Sequence, residues 1–319
     1  MVSIMRILNL VITKFLNIRL FKYIIQQTLK ALYPNTSIVY IDGGLGSQIF
    51  KYAFGLSLEK MTNCNVIYDV SWFSKNGRSI DNKNTRNFQL CKVFPNVKIK
   101  LAPFIISTLY KKYYYFDNNQ MPFYYHKDVF ITPPVYYGGF YSNCKFFNLS
   151  EEKLRKDLIF NDNIKREELD FQELIKNAKN AVAVHIRRGD YVNSIHDVLN
   201  KEYYIKAIQL IQKETSNFTL FFFSNDNDWV ANNIIPLLNV NIKYYNYQGN
   251  NDTGCIDMYL MSLCSKIIIS NSSFSWIPAW LNNEMQKKII MPIIWLNPQD
   301  SFNTKGLETA FNIENATYI

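Results

Sequence analysis

From Asn180 onward, short apolar runs alternate with amphipathic stretches, and this rhythm restricts the fold more than any other feature. The apolar runs fall at residues 181–186, 218–223, 242–247, 266–270 and 288–291, and helical patterns fall at 202–214, near 228–235, at 255–264 and at 274–282. Strands separated by helices cannot pair as hairpins. They predict a parallel sheet with helices on both faces. A similar unit opens the earlier half: an apolar strand Ser37–Ile41, a turn of Gly43, Gly44 and Gly46, a helix Gln48–Lys60 and a next strand Asn65–Val70. The expected architecture is α/β, with two Rossmann-like domains facing a cleft, residues 37–175 and 176–319, preceded by a basic amphipathic extension over 1–36.

The stretch AVAVHIRRGDY, Ala181–Tyr191, carries the first chemical signal. A buried strand ends there and presents Arg187, Arg188, Gly189 and Asp190. In open α/β sheets ligands bind beyond the carboxyl ends of strands, and guanidinium matches the oxygens of a phosphate. A diphosphate site with His185 beside it is one reading. Solvated arginines, one of them paired with Asp190, is the other. The glycine turn allows backbone N–H groups to meet an anion at a helix N-terminus, although its spacing is neither the dinucleotide fingerprint nor a Walker loop.

Charge and composition narrow the partners. The net charge is +9 and 48% of residues are hydrophobic, which suits an anionic substrate or membrane surface. No basic-aromatic interleaving points to nucleic acid. The five cysteines form no Cys-x-x-Cys and the chain has three histidines, so a zinc site is not expected. Residues 1–36 carry Arg6, Lys14, Arg19, Lys22 and Lys30 and no acid. Charge interrupts their apolar stretches, so they read as two amphipathic helices, or one broken near Asn17–Ile18, that lie on an anionic membrane or pack on protein. Residues 71–150 are rich in Tyr and Phe, which serve either as core or as platforms for sugar rings.

Four motifs stand in order: GGLGSQIFKYAFG, HIRRGDY, FSNDNDW, and DMYLMSLCSKIIISNSSFSW followed by IIMPIIW. Together, over roughly residues 38–300, they resemble the alpha-1,2-fucosyltransferases of glycosyltransferase family 11. The resemblance implies a GT-B architecture with an acceptor-side first domain and a nucleotide-sugar-binding second domain. It implies GDP-fucose as donor, inversion at the anomeric carbon, and neither metal nor cofactor. The acceptor would be a galactose-type residue of an oligosaccharide or lipid-linked glycan, as in O-antigen assembly. The protein would be cytoplasmic, at the inner membrane face. Carried over by residue, Arg187 holds the β-phosphate, His185 lies against the nucleotide, and Arg188, Gly44 and Gly46 belong to the donor site. Ser47 stands where the family has Asn and keeps one donor of an amide's two. Asp257 meets the base or ribose. Ser272, Ser273, Phe274 and Ser275 form the phosphate-side loop and helix start, with Pro278 expected in that helix's first turn.

Cleavage of the donor places negative charge on departing GDP. Arg187, with N–H groups near Ser272–Ser273, is positioned in sequence to meet it. Asp190 reads as base for the acceptor hydroxyl or as a partner of Arg188, with His196 and Asp197 as other bases. Asp226-Asn227-Asp228 is formally a D-x-D metal motif, yet Asp226 reads as a helix cap near the nucleotide. A transferase with another donor or linkage, or a membrane-associated glycan-binding protein with a decayed site, are the competing functions.

Overall fold

The computed structural model describes residues 19–74, 85–118, 121–249, 254–282, 287–297 and 304–319. Two parallel sheets organise the chain. The first has the order β2-β1-β4-β3, with β1 Thr36–Tyr40, β2 Asn65–Asp69, β3 Tyr115–Asp117 and β4 Tyr136–Gly138. The second has the order β10-β9-β8-β5-β6-β7, with β5 Ala181–Ile186, β6 Thr219–Ser224, β7 Lys243–Tyr247, β8 Lys266–Ile268, β9 Lys288–Met291 and β10 Thr317–Tyr318. Two Rossmann-like parallel sheets are what the alternation demands. In the central strand β5, Ala181 and Ala183 enter one apolar cluster, while Val182, Val184 and Ile186 enter another on the opposite face. A strand covered on both sides reads as a continuous apolar run.

Residues 71–150 were not resolved into elements by the sequence. There the structure has β3, β4 and the helix Phe104–Tyr113. Tyr136, Tyr137 and Tyr141 are almost fully buried, so part of this aromatic wealth is core. Three-residue strands are too short to show periodicity.

The helix expected from Gln48 starts earlier, at Leu45. Gly43 makes the turn with φ +77° and Gly44 is the N-cap, so Gly46 sits in the helix's first turn rather than in the loop. The helix expected over 274–282 spans Ser273–Leu281, which places Pro278 sixth and not in the first turn. Of the basic extension, residues 19–32 are helical. Leu29 packs beneath the first sheet with Ile38, Ile67, Tyr110 and Tyr136, while Leu20, Phe21 and Ile24 stay exposed. The break near Asn17–Ile18 and the first helix lie outside the described residues. Among those described, no helix is long and apolar enough to cross a membrane.

The halves share a core. Trp276 of the second half is fully buried, 5.1 Å from the Phe50 ring and 4.9 Å from that of Phe147. The final segment runs back across both halves. Cys144 N–H donates to Ala310 O at 2.6 Å, Trp276 Nε1 donates to Phe311 O at 2.7 Å, and Phe311 stacks on Trp295 at 3.9 Å.

Candidate active site

Strand order explains why distant motifs meet. From β5 the chain builds outward through β6 and β7, then returns to add β8 and β9 on the other side. Such a switch point leaves a crevice at the carboxyl ends of the strands. Parallel register pairs Ile186 with Ser224 and Val184 with Ile268. Arg187–Tyr191, Asn225–Asp226 and Ser270–Ser275 therefore emerge at one edge.

His185 is buried on the last part of β5, with Nδ1 2.8 Å from Ser270 Oγ and its ring 5.5 Å from that of Phe274. Burial, assisted by the Arg187 charge, lowers its pKa to about 3. The ring is therefore neutral at pH 7, a lining group and not a cation. Arg187 Nη2 pairs with Asp190 Oδ1 at 2.5 Å. Arg188 instead pairs through Nε with Asp226 Oδ2 at 3.2 Å and lies over the Trp229 ring at 4.4 Å. Asp190 thus does not orient Arg188, contrary to that reading of the sequence. Asp226 does cap its helix, since its Oδ1 accepts from Trp229 N–H at 3.1 Å.

The turn after β5 depends on glycine. Gly189 has φ +27°, and a Cβ there would collide with the Asn225 side chain. That side chain is itself fixed, because Asn225 Oδ1 accepts from Arg188 N–H at 2.9 Å.

The glycine turn of the first half faces this edge directly. A Cβ on Gly46 would lie 2.6 Å from Ser273 Oγ and 2.9 Å from Phe274 N. Only a hydrogen allows the starts of the two helices to abut. Ser272 caps the second helix, accepting from Phe274 N–H at 3.3 Å. Ser275 Oγ lies 3.5 Å from Ser270 Oγ. By contrast, a Cβ on Gly44 would meet nothing within 4 Å. Asp257 stands in the first turn of the neighbouring helix Gly254–Ser262. Burial, with help from Glu168, raises its pKa to about 7. A carboxyl so poised can donate or accept a hydrogen bond at neutral pH.

Beside these groups lies a cleft of about 270 Å³. Ser47, Tyr191, His196, Asn271 and Ser273 form its polar wall, and Phe123, Phe140, Trp295, Leu296 and Phe311 its apolar one. Asn271 is committed structurally, donating to His196 O and Trp295 O at 2.9 Å each. His196 stacks on Tyr191 at 4.6 Å. Burial holds its pKa below the usual histidine value, against the opposing pull of Asp190. Asp197 is turned to the loop backbone, accepting from Asn193 N–H at 3.0 Å.

Two residues at this edge were not singled out by the sequence, Gln48 and Arg86. Gln48 is fully buried and all its amide atoms are engaged. Nε2 donates to Gly43 O and Asn87 O, and Oε1 accepts from the N–H groups of Gln89 and Leu90. The adjoining Arg86 reaches Asp190 Oδ2 at 3.4 Å.

Two parallel-sheet halves, with an arginine-bearing strand end at a switch point and a cleft between them, define a GT-B-type glycosyltransferase. The family model for glycosyl transferase family 11 matches residues 11–318, and the chain belongs to that family. It is 31% identical over 282 residues to an alpha-1,2-colitosyltransferase of Escherichia coli, covering 82% of this chain and 93% of that one. It is 26% identical to the O-antigen biosynthesis glycosyltransferase WbnK of Escherichia coli, covering 80% and 93% respectively. Among solved structures, a mutant of Arabidopsis thaliana FUT1 in complex with GDP superposes with a TM-score of 0.50 at 13% identity, over 88% of this chain and 76% of that one, a likeness of fold.

Proposed function

We propose that the protein transfers L-fucose from GDP-fucose to the 2-hydroxyl of a galactose-type residue, with inversion and without a metal. The observation that carries this is the convergence of Arg187, His185 and the capped start of the helix Ser273–Leu281 at the edge that Gly46 abuts. A helix N-terminus and a guanidinium together hold a diphosphate. As the sugar–phosphate bond breaks, Arg187 meets the growing charge on the leaving oxygen. Neutral His185 packs beside the nucleotide without competing for its charge, and Asp257 offers a hydrogen bond to base or ribose.

Both carboxylate oxygens of Asp190 face guanidinium groups. We therefore assign proton removal from the acceptor to His196, which lines the cleft as a neutral ring. Protonation on acidification removes its lone pair, so activity should decline as pH falls through a pKa that burial holds below the ordinary histidine value. The apolar wall of the cleft suits the methyl group of a 6-deoxy sugar. The similarity to a colitosyltransferase favours a second reading with GDP-colitose, whose sugar also lacks the 3-hydroxyl.

GDP release with galactose-ended acceptors tests both donors. The expected result is turnover with GDP-fucose that survives EDTA and falls about 10²- to 10⁴-fold in His196→Gln. Turnover with GDP-colitose alone would replace the donor, and activity restored only by manganese would overturn the metal-free mechanism.

The exposed Leu20, Phe21 and Ile24, flanked by Arg19 and Lys22, fit an anionic lipid surface in the manner of an interfacial helix. Co-sedimentation with vesicles containing phosphatidylglycerol, and not with neutral vesicles, is the expected outcome. Equal behaviour of a Leu20→Ser/Phe21→Ser/Ile24→Ser variant would sink the idea.

A further inference from the structure

We propose that Arg86, from the first half of the chain, is a second donor-binding arginine that closes on the β-phosphate opposite Arg187. The proposal rests on the nucleotide-sugar reading above and adds a residue to it. Two guanidinium groups, Arg86 and Arg187, share one carboxylate, Asp190, at 3.4 and 2.5 Å. Arg188 is matched separately by Asp226. The trio Arg86–Asp190–Arg187 therefore carries one positive charge in excess. Burial and the facing Arg187 both weigh against the Arg86 charge, and Asp190 only partly offsets them. One negative charge placed between the guanidinium groups restores the balance, and the β-phosphate of a nucleoside diphosphate sugar supplies it. Asp190 then serves as the arm that bridges the two arginines, one on each carboxylate oxygen.

The placement of Arg86 is not left to a free loop. Gln48 pins residues Asn87, Gln89 and Leu90 to the carbonyl of Gly43 in the glycine turn. The glycine turn and the HIRRGDY strand end are therefore linked through Arg86, which neither motif contains. Gln48 is a positioning residue, whereas Arg86 would touch the donor.

Titration calorimetry with GDP and with GMP, on the wild type, Arg86→Ala and Arg86→Lys, separates the roles. Loss of a charge-assisted phosphate contact should weaken GDP about 10- to 100-fold in Arg86→Ala. GMP, which lacks the β-phosphate, should bind within about twofold of the wild type. Arg86→Lys keeps the charge and should recover part of the GDP affinity. Unchanged GDP affinity in Arg86→Ala, or equal weakening of GDP and GMP, would overturn the proposal while leaving the nucleotide site intact. A wild type that binds no GDP would instead remove the nucleotide reading itself, and this inference with it.

Discussion

Arg187→Ala is expected to lower kcat about 10²- to 10³-fold, the usual effect of removing one preorganised donor from a developing oxyanion, worth about 3–4 kcal/mol. The loss should exceed any change in acceptor KM, because in the proposed role Arg187 meets a charge that grows only as the bond breaks. The variant should fold normally. Arg187 is partly exposed and bonded to Asp190 within the same turn, so no buried partner is orphaned. Steady-state kinetics with the donor and the acceptor each varied in turn reads the effect. A kcat within threefold of wild type would remove Arg187 from the leaving-group site.

Gly46→Ala should damage stability and the donor site together. Its Cβ would press on Ser273 Oγ at 2.6 Å and on the backbone of Ser273 and Phe274 at 2.9 Å. The hydroxyl can rotate away but the helix backbone cannot. Overpacking of this kind costs about 1–3 kcal/mol. The strain falls where the two helix starts meet, so the donor site should be disturbed together with stability. Gly44→Ala is the control. Gly44 has φ −74°, and its Cβ would enter open space, so the melting temperature should hold. A higher donor KM at unchanged stability would then mark Gly44 as a point of ligand approach. Chemical denaturation of both variants checks the pair. Equal stabilities for Gly44→Ala and Gly46→Ala would contradict the packing argument.

The second sheet could be read from the sequence because each of its strands is a continuous apolar run and each helix has a periodic face. The placement of the candidate site residues could be read for a related reason. His185 lies near the end of such a run, and Arg187–Asp190, Asp226 and Ser272–Ser275 follow such runs within a few residues, so their place near strand ends was legible from the pattern. Asp190 was harder. Local sequence cannot distinguish pairing with Arg187 from pairing with Arg188, since both lie within reach of one turn. Gly46 was placed in the turn because a glycine so close to Gly43 and Gly44 reads as loop. Only the contact with Ser273, more than 200 residues away, shows that it is needed inside the helix.

Arg86 and Gln48 left no readable signal for different reasons. Arg86 sits in a segment without periodicity, and its partner is 104 residues distant. Gln48 looks like an ordinary polar position on an amphipathic helix, but it is buried with every amide valence filled.

The aromatic seam of Phe50, Phe147 and Trp276, strapped by Phe311, bears on how such an enzyme could change its acceptor. Rings from both halves interlock there at full burial. A large hinge opening would expose them to water at a cost of about 25 cal/mol per Å², so substrate exchange falls to loops and side chains at the cleft mouth. The same interlocking limits recombination. An amino-terminal half grafted from a relative with another acceptor would bring one face of the seam without its complement. Chimeras of these enzymes should therefore fold only when the crossover carries the rings of both faces and the final strap as one inherited block.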